Sequence, residues 1–207
     1  MEPTVEEKRI ARQLYYEFTY KKGHPNYLGR GSTKNVIGNA DLLPNWVVKF
    51  DIHKVIYQIG EYSYKNICRN TYCFEEANIY NIACEKLLSN DFAETYVLGF
   101  MDGRILTMQR RADTGEKCKD LIEDSYLEDL IESEIADYDE IMRLYDHRDL
   151  EGLIYDYNCG EDDWEFIERF FDEDTYYFLS DLGILDCHLG NIGLVDGCMK
   201  LIDFSSY

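Results

Sequence analysis

Three polar residues near the end of the chain have side chains suited to binding a metal ion. Asp186 and Asn191 stand in a short polar stretch, and Asp203 follows the apolar pair Leu201-Ile202. Carboxylate and amide oxygens suit Mg²⁺, which takes few protein ligands when it is bound to phosphates. Any one of these residues could instead form or cap a turn. Their spacing as a set favours a magnesium–phosphate site.

A second group of candidate residues lies in the first half of the chain. Gly29 and Gly31 fall in a predicted turn, where glycines would let backbone amides approach phosphate oxygens. Two glycines in a hairpin are also typical of an ordinary turn. Lys49 is flanked by apolar residues, so burying its charge costs free energy unless it meets a carboxylate or a ligand. Glu76, one turn before the apolar Ile79-Tyr80 pair, is the predicted partner.

The elements that must position these residues are mostly strands in the first 110 residues. A capping box at Thr4-Val5-Glu6-Glu7 precedes apolar residues at helical spacing. Residues 27–38 predict a strand–turn–strand, 46–50 a strand, and 96–109 a hairpin turning at Asp102-Gly103. Residues 71–90 predict a helix whose apolar side is formed by Phe74, Ala77, Ile79, Tyr80, Ala83, Leu87 and Leu88.

After Arg110-Arg111 the pattern becomes helical. Residues 127–145 predict a long amphipathic helix, and a second helix is predicted to begin after residue 163 and to continue through residues 176–179. Apolar segments at 192–195 and 199–202 then predict a final hairpin. This order favours an α+β fold in two lobes, with the hinge near 108–113.

In their order along the chain, these motifs resemble those of the protein-kinase-like superfamily. Asp186-x-x-x-x-Asn191 has the spacing of the catalytic loop, and its form with His188 is closer to atypical and small-molecule kinases. Leu43-Pro44-Asn45-x-Val47-x-Lys49, together with that loop, is similar to the early-expressed serine/threonine kinases of T7-like bacteriophages. The other resemblances are Gly29-x-Gly31 with Val36 to the glycine-rich loop, Val47-Val48-Lys49 to the lysine strand, Glu76 to the helix-C glutamate, and Ile202-Asp203-Phe204 to the metal-binding motif.

The resemblance implies a fold and a cofactor. The fold is a two-lobed protein-kinase-like one, with an antiparallel-sheet N-lobe at 1–110 and a reduced helical C-lobe at 111–207. The cofactors are ATP and Mg²⁺, and the acceptor is a serine or threonine of a protein. The viral likeness implies a target among host proteins, in the host cytoplasm.

The resemblance also implies a role for each residue. Asp186 would orient and deprotonate the acceptor hydroxyl, with His188 at a position that often contacts the γ-phosphate. Met108 begins the hinge, 108–110, against which adenine would lie. The remaining roles concern ATP and its metal: Gly29 and Gly31 would cover the phosphates, Lys49 held by Glu76 would contact the α- and β-phosphates, and Asn191 and Asp203 would bind Mg²⁺.

Three departures from the kinase pattern accompany the likeness. Ile184 and Leu185 stand where a histidine and an arginine usually precede the catalytic aspartate. Ser205, not glycine, follows Asp203-Phe204. The sequence ends at Tyr207, which leaves no room for an activation segment, so regulation by phosphorylation of such a segment is not expected.

Charge and cysteine content indicate which partners and which cellular compartment suit this chain. The net charge is −20, and residues 113–174 alone carry −19. Such a surface repels nucleic acid and favours a basic protein target, although a charge run of this kind is more often a solvated helical face that keeps a protein soluble. The acidic N-terminus does not resemble a signal peptide, and no apolar run is long enough to span a membrane. Seven scattered cysteines without a Cys-x-x-Cys pair fit a reduced, cytosolic protein.

Other functions stay open at this stage. A pseudokinase, or another nucleotide-binding regulatory module acting through the acidic surface, is the main alternative to an active kinase. An acidic decoy of a nucleic-acid-binding protein is allowed by the charge, but it does not require the ordered nucleotide motif. A small-molecule kinase is compatible with the Asp186-x-His188-x-x-Asn191 form but needs a larger C-lobe. The oligomeric state is not indicated.

Overall fold

The computed structural model describes residues 2–20, 26–31, 33–54, 71–115, 117–118, 121, 171, 173–184 and 191–205. In that part of the chain the fold is α+β, as the sequence predicted. The predicted helix at 127–145 and the candidate residues Asp186 and His188 lie outside the described residues. The elements are α1 (Val5–Tyr20), β1 (Tyr27–Arg30), β2 (Lys34–Ile37), β3 (Trp46–Asp51), α2 (Tyr72–Glu85), a 3₁₀ turn (Ser89–Asp91), β4 (Thr95–Met101), β5 (Arg104–Arg110), α3 (Glu173–Asp181), β6 (Ile192–Val195) and β7 (Cys198–Leu201).

Helix α1 begins at the capping box that the sequence predicted. The Glu7 backbone N–H donates to Thr4 Oγ1 at 3.2 Å, and the Thr4 N–H donates to Glu7 Oε2 at 2.7 Å. Two backbone donors at the helix start are thereby satisfied. Glu7 also accepts a hydrogen bond from Trp46 Nε1 at 3.1 Å, which ties the start of α1 to the first residue of β3.

Strands β1 to β5 form one antiparallel sheet in the order β1-β2-β3-β5-β4. The predicted turn between β4 and β5 is present, and both of its residues have positive φ, 51° at Asp102 and 77° at Gly103. A turn of this kind matches the twist of the flanking strands. In the sheet register, Lys49 lies opposite Val36 on β2 and Thr107 on β5.

One face of the sheet carries an apolar cluster that is covered by α1. Side chains of a strand point alternately to opposite faces, so every second residue of β3 and β5 faces the helix. These residues form one core cluster with the apolar stripe of α1; its buried members are Ala11, Leu14, Tyr15, Ile37, Leu43, Trp46, Val48, Phe50, Leu98, Leu106 and Met108.

Helix α2 packs against strands β3, β4 and β5, and its buried side includes the carboxylate of Glu76. Two residues predicted to lie on its apolar side are exposed instead, Phe74 at 49% and Leu87 at 87%. Phe74 lies on the solvent side of the helix. Leu87 follows the last helical residue, Glu85, and has a positive φ of 66°, so the chain has already turned away there.

The β6–β7 hairpin is joined to the rest of the fold on both of its edges. The Ala93 N–H donates to the Leu201 carbonyl at 2.9 Å, and Asp113 and Leu194 exchange two backbone hydrogen bonds of 2.8 and 2.9 Å. Gly193 permits the second contact, because a Cβ there would lie 2.7 Å from the Ala112 Cβ. The segment that follows β7 is therefore held in a fixed position beside the sheet.

Within the described part of the chain, no helix has the length and apolar character needed to cross a bilayer. The four described cysteines, Cys73, Cys84, Cys118 and Cys198, are all free thiols.

Candidate functional site

A cleft of about 360 Å³ lies between the β1–β2 turn, the polar face of the sheet and the segment after β7. Its volume falls within the range of small-molecule sites. The cleft brings together residues from distant parts of the sequence, and most of the predicted site residues are among them. It is lined by Leu28, Gly29, Arg30, Gly31, Lys34, Val36, Val47, Lys49, Gln109, Arg110, Ala112, Thr114, Asn191, Ile202 and Asp203.

Gly29 and Gly31 lie in the cleft wall, and neither is crowded by other protein atoms. A Cβ added at Gly29 would have no protein atom within 4 Å, and one at Gly31 would meet only the Lys34 carbonyl, at 4.0 Å. Packing within the protein therefore does not require glycine at either position. The absence of side chains leaves the backbone accessible from the cleft, as a ligand-covering loop needs.

Lys49 occupies the position predicted for it, in the middle of β3 and facing the cleft. Its side chain is 6% exposed. The Nζ donates to both carboxylate oxygens of Glu76, at 3.1 and 3.2 Å, and to the carbonyl of Ile202. The predicted partnership of Lys49 with Glu76 is therefore present. Because Ile202 precedes Asp203, the same lysine also fixes the segment that presents Asp203.

Lys34, the first residue of β2, is a site residue that the sequence analysis did not identify. Its side chain is 3% exposed, and its Nζ donates to Glu76 Oε1 at 2.8 Å and to Asp203 Oδ1 at 2.5 Å. A third bond goes to Ser205 Oγ, at 2.7 Å. The alternation of β2 carried a signal, because Val36 faces the cleft and Lys34, two residues earlier, must share that face.

A backbone hydrogen bond holds Asn191 close to the segment that contains Asp203. The Ile202 N–H donates to the Asn191 carbonyl at 2.7 Å, and both Asn191 and Asp203 line the cleft. Asp203 is the more open of the two, with 40% of its side chain exposed. Burial alone would raise the pKa of Asp203, but the charges of Lys49 and Lys34 lower that pKa to about 2. The carboxylate is thus ionised at any physiological pH.

The floor of the cleft is an electrically balanced cluster of two lysines and two carboxylates. Burial opposes the charge on Lys34, yet the charges of Glu76 and Asp203 more than offset this, so the pKa of Lys34 is raised above its usual value. Both partners of the Lys34–Asp203 pair are therefore charged. Two ammonium groups beside an ionised carboxylate and an amide are chemically suited to a polyphosphate bound through Mg²⁺.

The side chain of Met108, the first residue of the predicted hinge at 108–110, does not face the cleft. It is fully buried in the cluster under α1 and is not among the residues that line the cleft. The reason is strand alternation: Met108 pairs with Val48, and both face away from Lys49. The next residue, Gln109, faces the cleft. Its amide donates to Thr95 Oγ1 at 2.9 Å, and Thr95 in turn donates to the Ala93 carbonyl at 2.8 Å.

The structure therefore brings together Gly29, Gly31, Lys49, Asn191 and Asp203, with Glu76 directly behind the lysine. Asp186 and His188 lie outside the described residues. A comparison of the sequence with models of protein families finds no matching family, and a comparison with curated proteins finds no relative.

Proposed function

We propose that this chain is an ATP- and Mg²⁺-dependent phosphotransferase, a minimal serine/threonine protein kinase with a two-lobed kinase-like fold. In this proposal the five-stranded sheet with α1 and α2 forms the N-lobe. The hairpin β6–β7 and the segment after it belong to a reduced C-lobe. The two lobes meet at the cleft.

One observation carries the proposal: Lys49 is bonded to Glu76 and to the backbone beside Asp203, in a cleft roofed by Gly29 and Gly31. A buried lysine with a single carboxylate could be a structural ion pair. A structural pair does not need an exposed carboxylate and an amide next to it, or glycines with open space above them. A magnesium-bound triphosphate uses all of these groups.

In this proposal each site residue has a role in phosphoryl transfer. Bound Mg²⁺ would neutralise charge on the phosphates, and Asn191 and Asp203 would hold it. Lys49 would contact the phosphates as a positive charge kept in place by Glu76. Asp186 would accept the proton of the acceptor hydroxyl while that oxygen forms its bond to the γ-phosphorus. The bond between the γ-phosphorus and its bridging oxygen would break as the new bond forms, and ADP would be the leaving group.

The acceptor that fits this chain best is a protein with a basic surface. Residues 113–174 carry a net charge of −19, and the rest of the chain is close to neutral. Complementary charge raises the rate at which such a partner docks, and salt weakens the effect.

A second function, nucleotide binding without transfer, is favoured by a specific contact. The Nζ of Lys34 donates a hydrogen bond to Asp203 Oδ1 at 2.5 Å. Asp203 is the carboxylate that would bind Mg²⁺ in an active kinase. A pseudokinase that binds a nucleotide and regulates a partner could keep this contact permanently.

Transfer of label from [γ-³²P]ATP to a basic and an acidic acceptor, histone and casein, tests the proposal. We expect the purified full chain with Mg²⁺ to label histone more strongly, with the difference shrinking as salt is added. Asp203→Ala and Lys49→Met should each lower the rate by about 10²-fold or more, and Asp186→Ala by about 10²–10⁴-fold. Asp181→Ala, which removes an exposed carboxylate on α3, is the matched control and should be fully active.

The outcomes separate the two functions. ATP binding by the wild type with no transfer to any acceptor would favour the regulatory module. Transfer that survives Asp203→Ala would contradict the assignment of the site. Absence of ATP binding would contradict both functions.

A further inference from the structure

Lys34 uses all of its hydrogen-bonding capacity at the cleft. An ammonium group has three N–H donors, and those of Lys34 have three oxygen partners, on Glu76, Asp203 and Ser205, at 2.5 to 2.8 Å. The side chain is 3% exposed and lines the cleft directly below the glycine turn. Its partners are 42, 169 and 171 residues away in sequence, so only the folded protein assembles this site.

A structural role alone does not account for the pair of lysines. Glu76 already neutralises Lys49, and a second buried lysine costs free energy unless it has a carboxylate of its own. That carboxylate is Asp203, whose side chain is 40% exposed. An apolar residue at position 34 would pack there without this cost. The arrangement is advantageous if an anionic ligand enters the cleft and replaces Asp203 as the charged partner of Lys34.

Lys34 and a metal ion would compete for Asp203. The ammonium lies 2.5 Å from Oδ1, and a cation bound to either oxygen of the same carboxylate would be repelled by it at close range. A polyphosphate removes the conflict, because its oxygens can accept the N–H donors of Lys34. The lysine has a flexible four-carbon chain, which allows it to turn from Asp203 to a phosphate under Gly29 and Gly31.

We propose that Lys34 is a second phosphate-binding residue, which couples the binding of a nucleoside triphosphate to the binding of Mg²⁺ at Asp203. This inference rests on the proposed nucleotide site. With Lys34 on Asp203, the cation binds weakly; with Lys34 on phosphate, the carboxylate is free for the cation. Since coupling between ligands is reciprocal, each ligand raises the affinity of the other. Lys34 thereby makes metal loading depend on the nucleotide.

Two titrations of the full chain test the coupling. ATP is titrated calorimetrically in the presence of EDTA, and Mn²⁺, as a probe for Mg²⁺, is titrated without nucleotide and followed by electron paramagnetic resonance. In Lys34→Met we expect the affinity for ATP to fall about tenfold and the affinity for Mn²⁺ alone to rise about tenfold, in the usual range of coupling between sites. Lys34→Arg, which keeps the charge, should restore tight ATP binding and weak Mn²⁺ binding. Lys8→Met, on α1, is the control and should change neither.

The design distinguishes this inference from the proposed function. If the wild type binds ATP and Lys34→Met leaves both affinities unchanged, the coupling role is wrong and the nucleotide site stands. Loss of stability with unchanged affinities would likewise assign Lys34 to a structural ion pair and overturn the inference. If the wild type does not bind ATP, both proposals fail. Urea unfolding monitors the fold of each variant, and Lys34→Gln, which keeps a donor, replaces Lys34→Met if the latter does not fold.

Discussion

The two faces of the five-stranded sheet are built from the same strands and have opposite character. On β3, Val48 and Phe50 face α1, whereas Lys49 faces the cleft. On β5, Met108 faces α1 and Gln109 faces the cleft. The face under α1 is packed mainly by apolar and aromatic side chains, with the Trp46–Glu7 hydrogen bond at its edge. The face under α2 holds buried lysines, carboxylates and hydroxyls.

The two faces therefore contribute differently to the free energy of folding: the apolar face stabilises the folded state, and the charged face adds a desolvation cost. Burying apolar surface stabilises the folded state without any specific partner. Burying an ion pair recovers at best about what desolvation removes, and an apolar replacement is often no worse. Where a sequence places charged residues at buried positions, against the usual preference for apolar ones, a functional reason is expected. The charged face is therefore where a ligand is expected, and three experiments test the contrast.

The largest effect on stability is expected from truncating Trp46 on the apolar face. Trp46→Ala should lower the free energy of unfolding by about 4 kcal/mol, since it leaves a cavity in the core. The indole is 2% exposed, donates to Glu7 and stacks with Arg110, whose guanidinium carbon lies 5.5 Å from the ring centroid. Urea unfolding measures the change. Val97→Ala, at a position 45% exposed on β4, should cost under about 1 kcal/mol.

Folded Trp46→Ala should still bind ATP with an affinity close to that of the wild type. A large loss of ATP affinity at a temperature where the variant is fully folded would show that the two faces are not independent.

A somewhat smaller effect on stability is expected from Glu76→Gln on the charged face. The substitution removes the carboxylate that Lys34 and Lys49 share, and breaking a buried pair in this way costs about 3 kcal/mol. ATP affinity should fall as well, because Lys49 is no longer held. Glu85→Gln, on the exposed side of α2, is the control. If Glu76→Gln were neutral for both stability and ATP affinity, the charged cluster would have no role in either.

The smallest effect concerns Asp51, at the end of β3 on the charged face. Burial raises the pKa of Asp51 to about 6, although its hydrogen bond from the Cys73 N–H and the charge of Lys34 act against the rise. The folded state thus holds this proton more tightly than the unfolded chain does. The resulting stability is present below about pH 4 and is lost as the pH rises through 6.

Asp51→Asn should flatten that dependence, which amounts to at most about 1.4 kcal/mol per pH unit for one proton. Urea unfolding between pH 4 and 7 measures the slope. The amide oxygen can still accept from Cys73, so the fold should be retained. An unchanged slope in Asp51→Asn, matched by the exposed control Asp41→Asn, would assign the pH dependence to other groups.

The secondary structure could be predicted where its cause is local. The capping box of α1 and the turn at Asp102-Gly103 are formed by neighbouring residues, and both residues of the turn have the positive φ that their types allow. The pairing of Lys49 with Glu76 was also predictable. A lysine in an apolar strand needs a carboxylate partner, and the predicted helix at 71–90 supplies one.

Other features depended on geometry that the sequence pattern does not contain. The orientation of the Met108 side chain was not predictable, because the motif gives the strand but not its phase, and a shift of one residue exchanges the faces. The end of α2 was misplaced because apolar residues continue past Glu85 while the backbone reverses at Leu87. The alternation of β2 places Lys34 on the same face as Val36, but its burial depends on Glu76, Asp203 and Ser205, which are distant in sequence.

The sequence by itself determined the strands, the hairpins and the set of residue types that can handle a phosphate. It could do so because hydrogen bonding in turns and the alternation of strands act over a few residues. The tertiary structure decided which of those residues meet. Lys34 finds Asp203 across 169 positions of chain, and only the packing of the β6–β7 hairpin beside the sheet brings the two charges within 2.5 Å.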